Sequence, residues 1–294
     1  MEKLDIVNIH YYLNNGTHQM DAFIHNECEK KMLSIMSVIC KNLGVSPKVQ
    51  VEAKQEGGLQ DYYNLAISIF SDATPEYHIF VIGLVSQLLK LILSRKVKGK
   101  KVQDIASSTD NNFITNYLKS TDIDDYTKNK VEPMALAVKE IVSDTQIIKF
   151  SSDYYKNISN YDNVRKLDVN LKSSNNFSVC ETISIEDFKE HIIDNTDLDP
   201  IELKDVEVEI VSPILNGQSK SWKGKYNDNG ESRIITFSIE DQTFIENVTN
   251  GKISFKNGMT IICDMYIERK LNIDGTIKNS KYIIYNIHSS TDVA

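Results

Sequence analysis

The chain has 294 residues, which is long enough for two domains that each bury a core. Hydrophobic residues make up 41% and charged residues 25%, so most of the chain is expected to fold in water. The formal net charge of -8 excludes a protein that coats nucleic acid over its whole surface, but it allows a local basic pocket.

The cysteines and the N-terminus bear on the compartment. Cys28, Cys40, Cys180 and Cys263 are scattered and form no C-x-x-C pair, which predicts reduced, apolar side chains. The start, MEKLDIVNIHYYL, has no basic region followed by an apolar one, so it is not expected to be a signal peptide. We therefore expect the protein to be made in the cytoplasm and to stay there or at the inner face of a membrane.

A strand–helix–strand unit is predicted for the N-terminal part. β-branched and aromatic residues favour a strand over 4–13, and apolar residues at three- or four-residue steps favour a helix over 20–43. Gly44 and Pro47 end that helix, and the alternation of KVQVEAK (48–54) favours a second strand. LQDYYNLAISIF (59–70) is interpreted as a further, amphipathic helix.

The middle of the chain is predicted to be a helical connector. It starts polar, with at most one short helix near FITNYL, and continues into the helices EPMALAVKEIV and TQIIKFSSDYYKNI. Pro133 is expected in the opening turn of the first of these. NVRKLDVNLK is then predicted to form a strand, and SIEDFKEHIID is predicted to form a short helix with Ser184 as its N-cap.

The C-terminal part, from about 205 to 290, consists of short strand-like runs, KISF among them, with a helix predicted at EDQTFIENV. Asn-Gly and Asp-Gly dipeptides at 229–230, 257–258 and 274–275 supply the positive φ of turns, so we predict a small antiparallel sheet or barrel. The predicted fold class is α+β. Its parts are an N-terminal α+β unit (1–59), an amphipathic helix plus a membrane-type helix with a basic flank (60–101), the helical connector (102–160) and a β-rich ligand or partner domain (161–294).

The stretch HIFVIGLVSQLLKLILS (78–94) has an unusually wide apolar arc. It is about as long as the lower limit for a membrane span, roughly 17 residues, and RKVKGKK follows it like a cytoplasmic flank. Its polar and small residues fall on one side of a helix, which we call the polar stripe. The polar stripe consists of Gly83, Ser86, Gln87, Lys90 and Ser94.

Two interpretations of this helix stay open. In a ring of identical membrane helices the polar stripe would line a pore, and in a soluble oligomer it would be the contact between copies. A complete span with a cytoplasmic flank would place 77 preceding residues outside without a signal peptide. Shallow insertion, or a hairpin with residues 59–70, would avoid that difficulty.

No pattern in the sequence predicts catalysis or a cofactor, since P-loop, Rossmann and G-x-S-x-G motifs are missing. The cluster around His18, with His25, Glu27, Cys28 and Glu29, is best explained as a polar helix face with a core cysteine, because no second cluster offers metal spacing. A metal-dependent nuclease is the least favoured alternative. It would use Asp264, Glu268 and Lys270, whose alternation also fits the outer face of a strand.

The sequence SKSWKGKY supplies the candidate ligand site. Lys220, Lys223 and Lys225 surround the single tryptophan, Trp222, and Arg233 lies across the turn at 229–230. This basic, aromatic-edged face would suit a phosphate-bearing ligand such as a nucleotide or short oligonucleotide. The alternative is that Trp222 simply anchors the core of a small barrel.

The order of several segments resembles a group of uncharacterised bacterial proteins. These segments are YYLNNGTHQMDAFIHNECE, EGGL, the apolar helix with its basic flank, SWKGKY and ISFKNGMTIIC. The likeness covers both ends of the chain and is thinnest between residues 100 and 140. The architecture is similar to that of membrane effectors of anti-phage systems, with the Hailong type, gated by DNA oligomers, as the nearest. The resemblance transfers no catalytic or ligand residue.

The expected protein is therefore a non-enzymatic homo-oligomer at the bacterial inner membrane, with its large domains facing the cytoplasm. It would act in anti-phage defence as a cell-death effector that forms or gates an ion channel, under control of a ligand-sensing β-domain. Its expected partners are itself, membrane lipid and a phosphate-bearing ligand, and it needs no cofactor or metal. The alternative is a soluble oligomeric binding module that partners a co-encoded enzyme.

Overall fold

The structure of the protein, a computed structural model, divides into two units. Unit 1 comprises residues 1–196 and 273–276, and unit 2 comprises 197–272 and 277–294. The structure describes residues 6–14, 19–53, 59–68, 74–107, 116–117, 124–173, 176–213, 221–228, 230–256 and 258–291.

Unit 1 contains a five-stranded sheet with antiparallel pairing throughout. Its strands are β1 (Ile6–Leu13), β2 (Ser46–Ala53), β3 (Leu59–Ser68), β4 (Val164–Ser173) and β5 (Asn176–Ser184). Their order is β2-β3-β1-β4-β5, with β1 in the centre. The predicted strand–helix–strand unit is thus one side of a larger sheet, which two strands from much later in the chain complete.

Helices pack against this sheet. They are α1 (Ala22–Asn42), α2 (Pro75–Ser94), α3 (Val102–Ser107), α4 (Asp125–Ser143) and α5 (Thr145–Ser159), with a 3-10 helix at Phe188–His191. The prediction for α1 is confirmed. The carboxylate of Asp21 accepts the N–H groups of Phe23 and Ile24 and so caps the helix. The stripe that includes Cys28 and Met32 is buried in the core.

The apolar helix α2 lies in the core of unit 1. The hydroxyl of Thr74 accepts the N–H of Tyr77, and Pro75 occupies the first helical turn, where a missing donor costs nothing. The helix packs against α1, α4 and α5 and against β3, β4 and β5. Among the described residues, α2 is the one helix long and apolar enough to cross a membrane, with a mean hydropathy of 1.7. Within unit 1, 61% of that apolar window is buried.

The prediction of a helix over residues 59–70 is wrong, because residues 59–68 form β3. Residues 69 and 70 lie outside the described residues. β3 pairs antiparallel with β1 on one side and β2 on the other, so that Tyr63 lies opposite both Val7 and Val51. Tyr and Ile residues favour extended backbone only moderately by themselves. Two neighbouring strands add hydrogen-bonded ladders on both edges, and this tertiary pairing decides the conformation.

Two other helical predictions for unit 1 need correction. α4 begins eight residues before Pro133, so the proline lies inside the helix, where one backbone hydrogen bond is missing. Ser184 ends β5 instead of capping a helix, and its hydroxyl donates to Asp187 at 3.2 Å. Only the 3-10 helix forms in the segment predicted as helical. Most of FITNYL lies outside the described residues.

Unit 2 is a closed five-stranded barrel with one helix. Its elements are β6 (Asp197–Ser212), β7 (Trp222–Asp228), β8 (Glu231–Ile239), α6 (Gln242–Thr249), β9 (Thr260–Leu271) and β10 (Ile277–Thr291). The order around the barrel is β10-β8-β7-β6-β9. All pairs are antiparallel except β8 with β10, which run parallel. The α+β class and the barrel are thus confirmed.

The turns of unit 2 follow the predicted chemistry. Gly230, Gly258 and Gly275 all have positive φ, as the Asn-Gly and Asp-Gly signals require. The strand predicted at KISF is not formed. Phe255 from this segment instead packs its ring 5.5 Å from that of Trp222, so the segment contributes to the core from irregular backbone.

Candidate functional site

The barrel of unit 2 has a connectivity that is associated with ligand binding. Its chain meanders through β6, β7 and β8, α6 follows, β9 pairs with β6, and the parallel pair of β8 with β10 closes the barrel. This is the strand order and helix position of the OB fold. In that fold the face of the second and third strands binds oligonucleotides or oligosaccharides. The corresponding face here belongs to β7 and β8.

Two of the predicted ligand residues lie on this face. Buried and exposed residues alternate along β7, so Lys223 and Lys225 point outward. Lys223 lies opposite Thr236 on β8, and Lys225 lies opposite Ile234. Same-face positions on a strand are about 6.6 Å apart, so the two ammonium groups can contact neighbouring phosphates. We call these four residues the lysine face.

The charges of the lysine face are only partly compensated. The Nζ atom of Lys225 is 4.0 Å from a carboxylate oxygen of Glu209 on β6. Lys223 has no ion-pair partner among the described residues. Ile234, which is 74% exposed, adds an apolar surface beside them. Within the part of the chain that the structure describes, the lysine face therefore offers one cation without an ion-pair partner, one loosely paired cation and an exposed apolar side chain.

Arg233 does not join the lysine face. It lies opposite the buried Tyr226, which places it on the other side of the sheet near the β7–β8 turn. Its guanidinium lies 3.1 Å from Asp228 and 3.3 Å from Glu231. The hydrogen bond to Glu231 and the charge of Asp228 raise the pKa of Arg233. Lys220, the remaining predicted cation, lies outside the described residues.

Trp222 belongs to the barrel core. Its side chain is 6% exposed, and its ring lies 6.5 Å from that of Phe237 and 6.2 Å from that of Phe244. An aromatic ring buried in this way stabilises the barrel directly. Trp222 also lines an opening of the barrel.

Comparison with protein-family models, with curated proteins and with solved structures finds no match to this chain. The geometry of the sites therefore carries the functional argument.

The first part of the polar stripe on α2 is covered by unit 1. The hydroxyl of Tyr117 donates to the carbonyl of Phe80 at 2.8 Å and lies against Gly83, where a Cβ atom would overlap it. Ser86 is 4% exposed, and its hydroxyl has no partner among the described residues. Gln87 is partly buried.

The second part of the polar stripe is also in contact with unit 1. The ammonium of Lys90 lies 3.8 Å from Glu181 on β5. The hydroxyl of Ser94 donates to the carbonyl of Lys90 within α2, at 2.9 Å. Lining a pore would therefore require α2 to leave the packing described above.

The basic flank of α2 pairs with acidic residues and carbonyls. Arg95 donates to the carbonyl of Val142 at 2.8 Å, and burial lowers its pKa. Lys96 lies 2.9 Å from Asp187, and Lys98 lies 3.0 Å from Glu190. These three charges are therefore engaged within unit 1, and each could meet lipid headgroups only by exchanging its partner.

Sequence reasoning missed a polar cluster on the outer face of β6, β9 and β10, centred on Asp264. This carboxylate is 5% exposed. It contacts His288 at 2.9 Å and accepts from the amide of Asn286 at 3.0 Å and from the backbone N–H of Asp205 at 3.2 Å. The His288 hydrogen bond contributes most to lowering the pKa of Asp264. No spacing rule joins residues this far apart, so only the strand pairing reveals the cluster.

Within the described residues, one group has metal-ligand atoms within 4.8 Å of one another, namely Asp205, Asp264 and His288. The ammonium of Lys204 already lies 3.5 Å from Asp264 and supplies a positive charge there. The hydrogen bonds just described also use the acceptor positions of Asp264. The arrangement is that of one buried carboxylate, Asp264, with exposed partners around it, and it gives no reason to place a metal.

The nuclease alternative needs three groups that converge, and the structure separates them. Asp264 and Glu268 are four residues apart on β9, which corresponds to roughly 13 Å. Glu268 lies 3.9 Å from Lys281, and Lys270 lies 3.0 Å from Asp197. Glu268 and Lys270 are thus each paired with an oppositely charged residue on a neighbouring strand.

Three thiols are described, and none is placed to act as a nucleophile or metal ligand. Cys28, Cys40 and Cys263 are buried and form no disulfide among the described residues. Burial raises the pKa of the Cys40 thiol and of the Cys263 thiol to about 12, so both stay protonated. His25 and Glu29 lie on the outer part of α1, while His18 lies outside the described residues.

Proposed function

We propose that unit 2 is a binding module for single-stranded oligonucleotides and that the lysine face contacts their phosphates. The observation that carries the proposal is the coincidence of an OB strand order with outward lysines on its second and third strands. The net charge of -8 would repel nucleic acid elsewhere, so binding would be confined to this face. A neutral oligosaccharide would gain nothing from the lysines.

The proposal is tested by fluorescence anisotropy of the full chain with a labelled single strand of about 12 nucleotides. The variant Lys223→Ala/Lys225→Ala should bind much more weakly than wild type. The matched control Lys252→Ala/Lys278→Ala removes the same charge from exposed lysines elsewhere in unit 2 and should bind nearly as wild type does. Equal weakening by both pairs would indicate a general charge effect and contradict a specific face.

A second candidate function is that of the membrane effector, and one observation favours it. α2 has the length and the mean hydropathy, 1.7, of a membrane helix. In this candidate, ligand binding to unit 2 would release α2 from unit 1, and copies of the chain would bring their polar stripes together. The present packing of α2 corresponds to the resting state of such a protein.

Membrane fractionation and leakage test the second candidate. Without ligand, wild type should be soluble, and with ligand it should move to the membrane fraction and cause dye leakage. Gln87→Leu should block leakage but not membrane association, because it removes a polar group from the pore axis. Recovery of the protein in the soluble fraction under all conditions would exclude this candidate and leave the binding module.

A further inference from the structure

A groove opens in unit 2 next to the lysine face. It has a volume of about 890 Å³ and lies among β7, β8, α6 and β10. Sites for small organic ligands usually measure about 300–1,000 Å³. The groove is thus large enough for a nucleobase with its sugar.

The lining combines aromatic rings with hydroxyl groups. Trp222, Phe237 and Tyr282 contribute rings, of which Trp222 and Phe237 are buried and Tyr282 is partly exposed, so a planar base can pack against Tyr282. The hydroxyl groups that can bond a base edge or a sugar come from Ser221, Thr236, Ser238 and Ser280.

The described residues that line the groove carry no net charge. Lys281 and Glu240 are its two charged residues, and they have opposite sign. A phosphate would therefore gain little inside the groove, whereas a neutral base would lose little. The two parts of a nucleotide thus find different partners, the phosphate on the lysine face and the base in the groove.

Ser238 is a residue of the groove whose hydroxyl could form a hydrogen bond with a polar atom of a ligand. It lines the groove, and its Oγ atom is buried without a hydrogen-bond partner among the described residues. A buried hydroxyl in this state has lost water and gained nothing in return. The edge of a base carries donors and acceptors that can satisfy it.

The groove and the lysine face are continuous. Thr236 lines the groove and lies directly opposite Lys223. Cβ atoms of such opposed residues are about 5 Å apart. A phosphate held by Lys223 therefore lies next to the mouth of the groove.

The lysine face itself lacks stacking groups. None of its four residues, Lys223, Lys225, Ile234 and Thr236, is aromatic, and neither are the adjacent outward residues Asn227 and Ser232. Single-strand binding usually combines cations with aromatic rings that stack on the bases. Here the cations lie on the outside, and the rings within reach line the groove.

We propose that the groove holds one nucleobase with its sugar, taken from the strand whose phosphates contact Lys223 and Lys225. This inference rests on the proposed function, because without a bound strand no base is delivered to the groove. It adds a position at which the protein reads one nucleotide, in a place separate from the lysine face.

The test uses the full chain and a single strand that carries one 2-aminopurine, whose fluorescence falls when it stacks on an aromatic ring. Thr249→Phe fills the groove from α6, where Thr249 is an exposed lining residue. Thr243→Phe is the matched control, an equally exposed threonine of the same helix outside the groove. Wild type and Thr243→Phe should quench 2-aminopurine, and Thr249→Phe should lose the quenching and bind roughly tenfold more weakly.

If the emission of Trp222 shows that Thr249→Phe disturbs the barrel, a second variant, Ser238→Ala, is used to test the groove assignment. Ser238→Ala removes a hydroxyl that has no hydrogen-bond partner among the described residues, so its thermal midpoint should equal or exceed that of wild type. Its affinity for the strand should still fall by about threefold to tenfold.

The outcomes separate the two proposals. The groove assignment is overturned if Thr249→Phe quenches 2-aminopurine and binds the strand as wild type does. Where Ser238→Ala decides the test, wild-type quenching and affinity in that variant overturn the assignment. If Lys223→Ala/Lys225→Ala nevertheless weakens binding, the lysine face stands without the groove. If wild type binds no strand even at low salt, the proposed function fails and the groove assignment fails with it.

Discussion

The ammonium nitrogen of Lys90 on α2 lies 3.8 Å from a carboxylate oxygen of Glu181 on β5. Lys90 is the one charged residue of the polar stripe, and its partner belongs to the sheet of the same unit. Because Glu181 is partly exposed, a pair of this kind contributes only about 0–1 kcal/mol. The apolar packing around α2 must therefore supply most of the free energy that holds the helix in place.

This packing predicts a large effect of truncating a buried leucine of α2. Leu89, which a membrane-helix interpretation would place towards lipid, is 0% exposed within unit 1. Leu89→Ala should lower the free energy of unfolding by about 2–5 kcal/mol. Ile79→Ala, at an exposed position of the same helix, should change it by less than about 0.5 kcal/mol. Urea denaturation followed by circular dichroism measures both, and equal small effects would contradict a core position for α2.

A second prediction concerns Gly224, the third residue of β7. A Cβ atom there would lie 2.8 Å from the carbonyl oxygen of Glu209 and 2.8 Å from the ring of Phe237, closer than real contacts allow. Gly224→Ala should therefore destabilise unit 2 by about 1–3 kcal/mol. Trp222 is the single tryptophan, so its emission reports unfolding of this barrel. Ser232→Ala is the control on β8, and a wild-type midpoint for Gly224→Ala would show that the barrel packs less tightly.

The third prediction is a pH dependence that His288 brings to unit 2. The hydrogen bond to Asp264 and the charges of Asp264 and Asp205 raise the pKa of His288, while desolvation and, to a smaller extent, the charge of Lys204 oppose them. A raised pKa in the folded state means that protonation stabilises the fold. This contribution is complete below the unfolded pKa of about 6.5 and is lost as the pH rises through the folded value.

The measurement is the thermal midpoint of Trp222 emission from about pH 6 to about pH 9. Wild type should lose stability relative to His288→Gln over this window, because glutamine keeps a donor for Asp264 but does not titrate. Parallel pH profiles of the two proteins would show that folding does not raise the pKa of His288. The depressed pKa of Asp264 acts in the opposite range, since its contribution is lost only when the pH falls well below about 4.

Local signals in the sequence were sufficient to predict those elements whose conformation depends mainly on residues close in the chain. Apolar spacing and the stop at Gly44 and Pro47 located α1, and the Asn-Gly and Asp-Gly dipeptides located the turns of the barrel. They were insufficient for β3, whose conformation depends on β1 and β2 at its two edges. Periodicity also identified α2 as a helix but could not show that unit 1 covers its apolar arc.

The candidate site likewise has features that the sequence predicted and features that depend on strand pairing. Alternation along β7 is a local property, so Lys223 and Lys225 could be assigned to one face from the sequence. Arg233 was grouped with them because it is close in the chain, yet the β7–β8 register puts it on the other face. Asp264 and His288 meet only because β9 pairs with β10, and no motif links them.

The most direct measurement for the proposed function is the salt dependence of oligonucleotide binding by the full chain. For a single strand, the slope of log K against log salt changes by about 0.7 for each phosphate contact. The wild-type slope should therefore be negative, and Lys223→Ala/Lys225→Ala should make it shallower by about 1.4. The control Lys252→Ala/Lys278→Ala should keep the wild-type slope. A slope that is the same in wild type and in Lys223→Ala/Lys225→Ala would contradict phosphate binding by the lysine face, whatever the affinities.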